Sequence, residues 1–317
     1  MSRKIIFKGN LRRIIPVFFI FLCISGANAG NQKISNSSTP PTNHGSELLE
    51  NLRSSFGTGT IASQIRLQHQ LSQYWESNPP SAEELTSLIS DTKAPEAFRI
   101  YLAKVLRNKI KKQSFSTEAT SNTYSKMRDI IANAANRPDF RAKLANVLTT
   151  VDQSDETVRA VTPLLLLDDE SAAKAVSALC NTTNPLAVDT LYDFVTSSQD
   201  LMKTKPRALM AALPPLSTTD KDVLPVVNRV VNTTKNFDLY RSAIQALIHS
   251  KSSPAVLESI AKAFDVAPRF GKRQAQAELL SKAAARQHVQ LFRGIKNELD
   301  TNTTETIEKL VGPNKAK

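Results

Sequence analysis

From Gly59 to Gly271 the chain contains no glycine, and its 317 residues include only nine. Glycine reaches positive φ without strain and lets backbone approach a ligand closely. Over most of the chain the gap therefore excludes phosphate-cradling loops, dinucleotide fingerprints, nucleophile elbows and two-residue hairpin turns in their usual forms. What fills the gap is apolar spacing of helical period. Phe98, Tyr101, Leu102, Val105, Leu106 and Ile110 share one helix face, as do Phe140, Leu144, Val147 and Leu148. The spacing recurs in Leu186, Val188, Leu191, Phe194 and Val195, and again in Val256, Leu257, Ile260, Ala261 and Phe264. No stretch alternates with period two, so the expected fold class is all-α.

Helix starts are marked by proline, whose missing N–H costs nothing in a first turn. Pro95, Pro138, Pro185, Pro206, Pro254 and Pro268 each precede an apolar-periodic run. Ser81 to Glu84 reads as a capping box, and Asn184-Pro185 and Ser253-Pro254 read as a cap followed by the first helical residue. Helices separated by short connections must fold back on one another, which predicts a string of antiparallel helix hairpins.

The N-terminus has a different character. Residues 1–29 carry Arg3, Lys4, Lys8, Arg12 and Arg13, then the apolar stretch Ile14 to Ile24, then Ala27-Asn28-Ala29. This is the order of a cleaved signal peptide, and its apolar core is about half of the ~20 residues that span a bilayer. Cys23 lacks the small preceding residues of a lipoprotein signal. Cleavage after Ala29 leaves Cys180 alone, so no internal disulfide can form, and its apolar surroundings predict a packing role. Residues 30–47 are polar and turn-rich, the composition of a disordered linker.

Asp169 to Leu179 and Ser253 to Phe264, alanine-rich and opened by a cap or proline, resemble the helices of HEAT and armadillo repeats. The helix-starting prolines recur about every 40 to 50 residues, the range of a two-helix repeat. The resemblance covers roughly residues 94–265 and implies an α-solenoid of stacked hairpins. It implies no catalytic or binding residue, because such repeats share only core positions. The expected organisation is a signal peptide at 1–29, a linker at 30–47, an N-terminal helical region at 48–93, HEAT-like repeats at 94–265 and a basic helical region at 266–317.

Net charge is +12, five of it from the cations of residues 1–29, and the rest is distributed as a basic segment (30–150), an acidic one (151–200) and a second basic one (201–317). The densest run of cations is Arg269, Lys272, Arg273, Lys282, Arg286, Arg293 and Lys296, with Lys282, Arg286 and Arg293 expected near one helix face. It is the candidate site for an anionic partner: an acidic protein, an anionic envelope polymer, or peripheral contact with lipid headgroups. Nucleic acid is not expected, since the cations are not interleaved with stacking aromatics. The cluster Lys104, Arg107, Lys109, Lys111 and Lys112 reads as the basic end of a helix, complementing its dipole.

Catalytic and metal patterns do not assemble. His44, His69, His249 and His288 are isolated, so neither a metal site nor a cofactor is expected. Ser90/Lys93, Ser171/Lys174 and Ser259/Lys262 match Ser-x-x-Lys without the Lys-Thr-Gly companion of penicillin-binding enzymes. Asp168, Asp169 and Glu170 read as first-turn acids of a helix. Glu76, Glu170 and Glu258 precede serines, as in lytic transglycosylases, but the glycine-bearing motifs of those enzymes are missing and Trp75 is the only tryptophan. Asn36, Asn181, Asn232 and Asn302 begin Asn-x-Ser/Thr sequences, read as caps and turns. The expected function is an exported, non-catalytic helical-repeat scaffold or adaptor of the cell envelope. The alternatives are an all-helical enzyme acting on envelope polysaccharide, or a peripheral binder of anionic membrane or polymer.

Overall fold

The structure, a computed structural model, describes residues 42–312. The expected signal peptide (1–29) and residues 30–41 of the expected linker lie outside the described residues. Residues 42–47 do not belong to a linker: they form the opening of helix α1, Thr42–Thr58. His44, Ser46 and Glu47 lie on the exposed side of this helix. Gly45, which reads as a turn residue, is buried, and a Cβ there would fall within 2.7 Å of the Tyr74 hydroxyl oxygen.

The next helices are α2 (Ile61–Ser77), α3 (Ala82–Ser90), α4 (Glu96–Lys111), α5 (Thr117–Ala132) and α6 (Pro138–Leu148). They are followed by α7 (Asp155–Val161), a 3-10 segment (Thr162–Leu166), α8 (Asp169–Cys180) and α9 (Pro185–Ser197). Next come α10 (Leu201–Thr204), α11 (Pro206–Ser217), α12 (Leu224–Thr233), α13 (Phe237–His249) and α14 (Pro254–Asp265). A 3-10 segment (Ala267–Arg273) leads to α15 (Gln274–Gln287), α16 (Val289–Ile295), a last 3-10 turn (Lys296–Glu298) and α17 (Thr301–Val311). Among the described residues the fold is all-α, without strands, and no helix is long and apolar enough to cross a membrane.

The predicted starts are recognisable in detail. Pro138, Pro185, Pro206 and Pro254 open their helices. Ser81 accepts the Glu84 N–H at 3.0 Å, Asn184 that of Leu186 and Ser253 that of Val256. Pro95 instead occupies the cap position of α4, and Pro268 lies inside the 3-10 segment.

Packing follows chain order. α4, α6, α8, α11, α13 and α15 pack each against the next. Across from them α3, α5, α7 and α9 pack in succession, as do α12, α14 and α17. Hairpin contacts α3–α4, α5–α6, α8–α9, α12–α13 and α14–α15 join the two sides. The apolar stripes meet between them in a core that includes Phe98, Leu102, Phe140, Leu144, Val176, Leu213 and Tyr240.

α4 and α6 also repeat a segment, Phe-Arg-x-x-Leu-Ala-x-Val-Leu at 98–106 and 140–148. The two arginines do the same work. Arg99 Nε donates to Ile89 O, at the end of α3, over 2.6 Å, and Arg141 Nε donates to Ile131 O, near the end of α5, over 2.5 Å. Both are buried, Arg99 at 3% exposure and Arg141 at 8%.

The final carbonyls of a helix have no intrahelical partner, and a glycine in the left-handed region is the common remedy. Here α17 ends on a positive-φ glycine, Gly312, whereas several earlier helix ends are met by long side chains from later in the chain. Lys205 Nζ donates to Leu167 O, ending the first 3-10 segment. Arg269 donates to Asn232 O at 2.6 Å and Val231 O at 2.7 Å, closing α12. His288 Nε2 donates to Leu247 O at 2.8 Å, near the end of α13. Each donor lies at the negative end of a helix dipole, which favours the cationic ones further. α4 ends differently again, with Gln113 itself taking φ 55°. Its N–H donates to Ile110 O and that of Ser114 to Lys109 O.

Pro214 and Pro215 stand inside α11, where proline removes a hydrogen bond from the helix ladder. The N–H missing at Pro214 would have bonded Met210 O, and that carbonyl instead accepts the Ser242 hydroxyl of α13 at 2.7 Å. An apparent helix breaker thus becomes a contact between neighbours.

Candidate functional site

The basic C-terminal run is spread over several elements. Arg269 caps α12, and its guanidinium lies 5.6 Å from the centre of the Phe270 ring. Arg273 sits 5.1 Å over Phe237. Lys296 pairs with Glu308 of α17. Lys282 and Arg286 lie one turn apart on α15, but Arg293 belongs to α16, so the expected single helix face does not exist. The cause is His288. It is buried between the two helices, donating through Nε2 to Leu247 O and accepting the Ser252 hydroxyl at Nδ1 over 2.7 Å. Lys272, Arg286 and Arg293 are exposed and Lys282 is half-buried.

The acidic middle segment is similarly engaged. Asp168 caps α8 at Ser171 N, and the backbone and side-chain hydrogen bonds from Ser171 hold its carboxyl below the usual range. Asp169 caps α11 through Arg207 N at 3.0 Å and Ala208 N at 3.1 Å. Asp152 accepts Thr157 Oγ1 and pairs with Arg128 at 3.1 Å, and Asp189 pairs with Lys221 at 2.5 Å. Burial pushes the Cys180 thiol up to about 11, so little thiolate exists near neutral pH.

A different surface gathers more cations than carboxylates. α4, α6 and α8 lie side by side, and a groove of about 1060 Å³ runs across them. Helix-start ion pairs tie the three together. Arg137 Nη1 reaches Glu96 at 3.7 Å, and Lys174 of α8 pairs with Asp139 of α6. Asp139 also holds Lys143 at 2.6 Å, while Glu170 holds Lys174 at 2.6 Å and Arg207 of α11 at 3.9 Å. Burial raises the Asp139 carboxyl, but hydrogen bonds and charge from Lys143 and Lys174 outweigh it and leave it below its ordinary value. For Lys174 burial lowers the ammonium, and Asp139 and Glu170 more than reverse that. Both directions keep the pair ionised.

Lys104 and Arg107 line the same groove without an acidic partner among the described residues. They are not in the last turn of α4, whose cations are Lys109 and Lys111. The dipole therefore accounts for that end of the cluster and not for Lys104 and Arg107. Half-buried Phe56, Ile100 and Tyr101 supply the apolar part of the lining.

No protein-family model matches the chain, and neither a curated protein nor a solved structure is significantly similar to it.

Proposed function

We propose that the chain is an exported, non-catalytic scaffold, an α-solenoid of HEAT-like hairpins that holds a partner outside the cytoplasm. One observation carries the reading: helices pack on near neighbours in chain order, and α4, α6 and α8 present an open groove across their joined flanks. Stacking of this kind builds extended binding surfaces, with stability distributed over neighbour contacts. The signal-like order of residues 1–29 supports export. The basic C-terminal region is the weaker surface, since Arg269 already bonds the end of α12, Arg273 lies over Phe237 and Lys296 pairs with Glu308.

A photo-reactive residue introduced at position 104, in the groove, and separately at 118, exposed on α5, tests the reading in the host. The exported chain, beginning at Gly30, should give discrete protein adducts from position 104 and few from 118. Absence of adducts from both, or robust hydrolysis of envelope polysaccharide by the purified chain, would contradict it.

A further inference from the structure

We infer that the groove across α4, α6 and α8 is a docking site for an extended acidic segment of a partner protein that carries an apolar side chain. This inference rests on the scaffold reading and specifies the partner.

Charge points first to an anion. Five cations line the groove, Lys104, Arg107, Arg137, Lys143 and Lys174, against the carboxylates of Glu96 and Asp139. Those two carboxylates are taken up by Arg137, Lys143 and Lys174. The surplus is concentrated on Lys104 and Arg107, one turn apart on α4. Cations lining a recess raise the local concentration of an anionic partner and speed its encounter.

The apolar lining then selects among anions. Ile100 and Tyr101 line the groove with the two cations that have no acidic partner, and Phe56 packs against Tyr101 with ring centres 5.9 Å apart. A phosphate-rich polymer or a lipid headgroup would neutralise the cations and leave this apolar surface in water. A flat bilayer reaches a rim better than a recess between helices. A peptide supplies both kinds of group at side-chain spacing, with carboxylates for Lys104 and Arg107 and an apolar anchor for Ile100 and Tyr101. An acidic segment of another protein fits better than residues 1–46 or 313–317, which contain no aspartate or glutamate to meet Lys104 and Arg107.

The test is selection of displayed random dodecapeptides on the full-length mature chain, followed by titration of the recovered peptides. Recovered peptides should be net acidic with a central apolar residue. Lys104→Glu with Arg107→Glu should weaken them by about tenfold or more, and Ile100→Ser by several-fold. Lys282→Glu with Arg286→Glu, on α15, should leave affinity unchanged, and circular dichroism should be the same for all variants. Recovery of neutral or basic peptides, or indifference to the Lys104/Arg107 pair, would overturn the groove assignment while leaving a scaffold that binds elsewhere. Recovery of no binder would overturn it as well. Tighter binding to polyphosphate or phosphatidylglycerol vesicles than to any peptide, insensitive to Ile100→Ser, would replace the peptide with an anionic polymer or membrane.

Discussion

Replacing Arg99 by methionine should lower the unfolding free energy by about 2–4 kcal/mol. The substitution preserves most of the side-chain stem and removes only the guanidinium. Two buried acceptors then lose their donor: Ile89 O at the end of α3, and Asn136 Oδ1, which Arg99 Nη2 reaches at 3.0 Å. Removing a buried charge recovers some desolvation free energy, and burial does hold the Arg99 pKa below its ordinary value, against the raising influence of Glu96 and Asp91. That recovery is the smaller effect, because each stranded polar group costs about 1–3 kcal/mol and the helix terminus stabilises the cation. Chemical denaturation with an unchanged slope would measure it. Arg99→Lys should recover only part of the loss, since an ammonium cannot reproduce the planar fork that spans both acceptors. A change below about 1 kcal/mol for the methionine variant would show that Ile89 O finds another partner.

Phe140→Ala should cost about 3–5 kcal/mol, the range for truncating a fully buried aromatic. The ring is completely shielded from solvent, and the Arg99 guanidinium carbon lies 3.9 Å from its centre. Truncation thus opens a cavity and strips the face against which the buried cation rests. A double-mutant cycle between Arg99→Met and Phe140→Leu separates the two effects. Its coupling should be about 1 kcal/mol, typical of a partly desolvated cation over an aromatic ring. Zero coupling would mean that Phe140 acts through volume alone.

Much of this architecture is legible in the sequence because it is written in local chemistry. The stripes through Phe98 and Phe140, the caps at Ser81, Asn184 and Ser253, and the prolines at 138, 185, 206 and 254 involve residues a few positions apart. The beginning of α1 was hidden because Gly45 faces Tyr74 of another helix. The glycine gap excludes many loops by simple inspection, yet its structural consequence is non-local: carbonyls left without glycine caps are bonded by Arg99, Arg141, Lys205, Arg269 and His288 from later helices. Arg269 is exposed, and for the same reason its bonds to the end of α12 cannot be read from sequence. The groove was missed because α4, α6 and α8 meet only after folding. One signal was available, the recurrence of Phe-Arg-x-x-Leu-Ala-x-Val-Leu, which marks Arg99 and Arg141 as equivalent and buried.

That equivalence allows the central claim, a row of neighbour-packed hairpins in which α3–α4 and α5–α6 are each closed by an arginine from the second helix to the end of the first, to be tested by shortening the row. A chain lacking residues 99–140 joins Phe98 to Arg141 and removes one repeat in register. Neighbour-only packing predicts that Arg141 takes over Ile89 O, that mean helicity per residue is retained, and that thermal unfolding remains a single cooperative transition. Loss of helicity, or unfolding without a cooperative transition, would contradict the account.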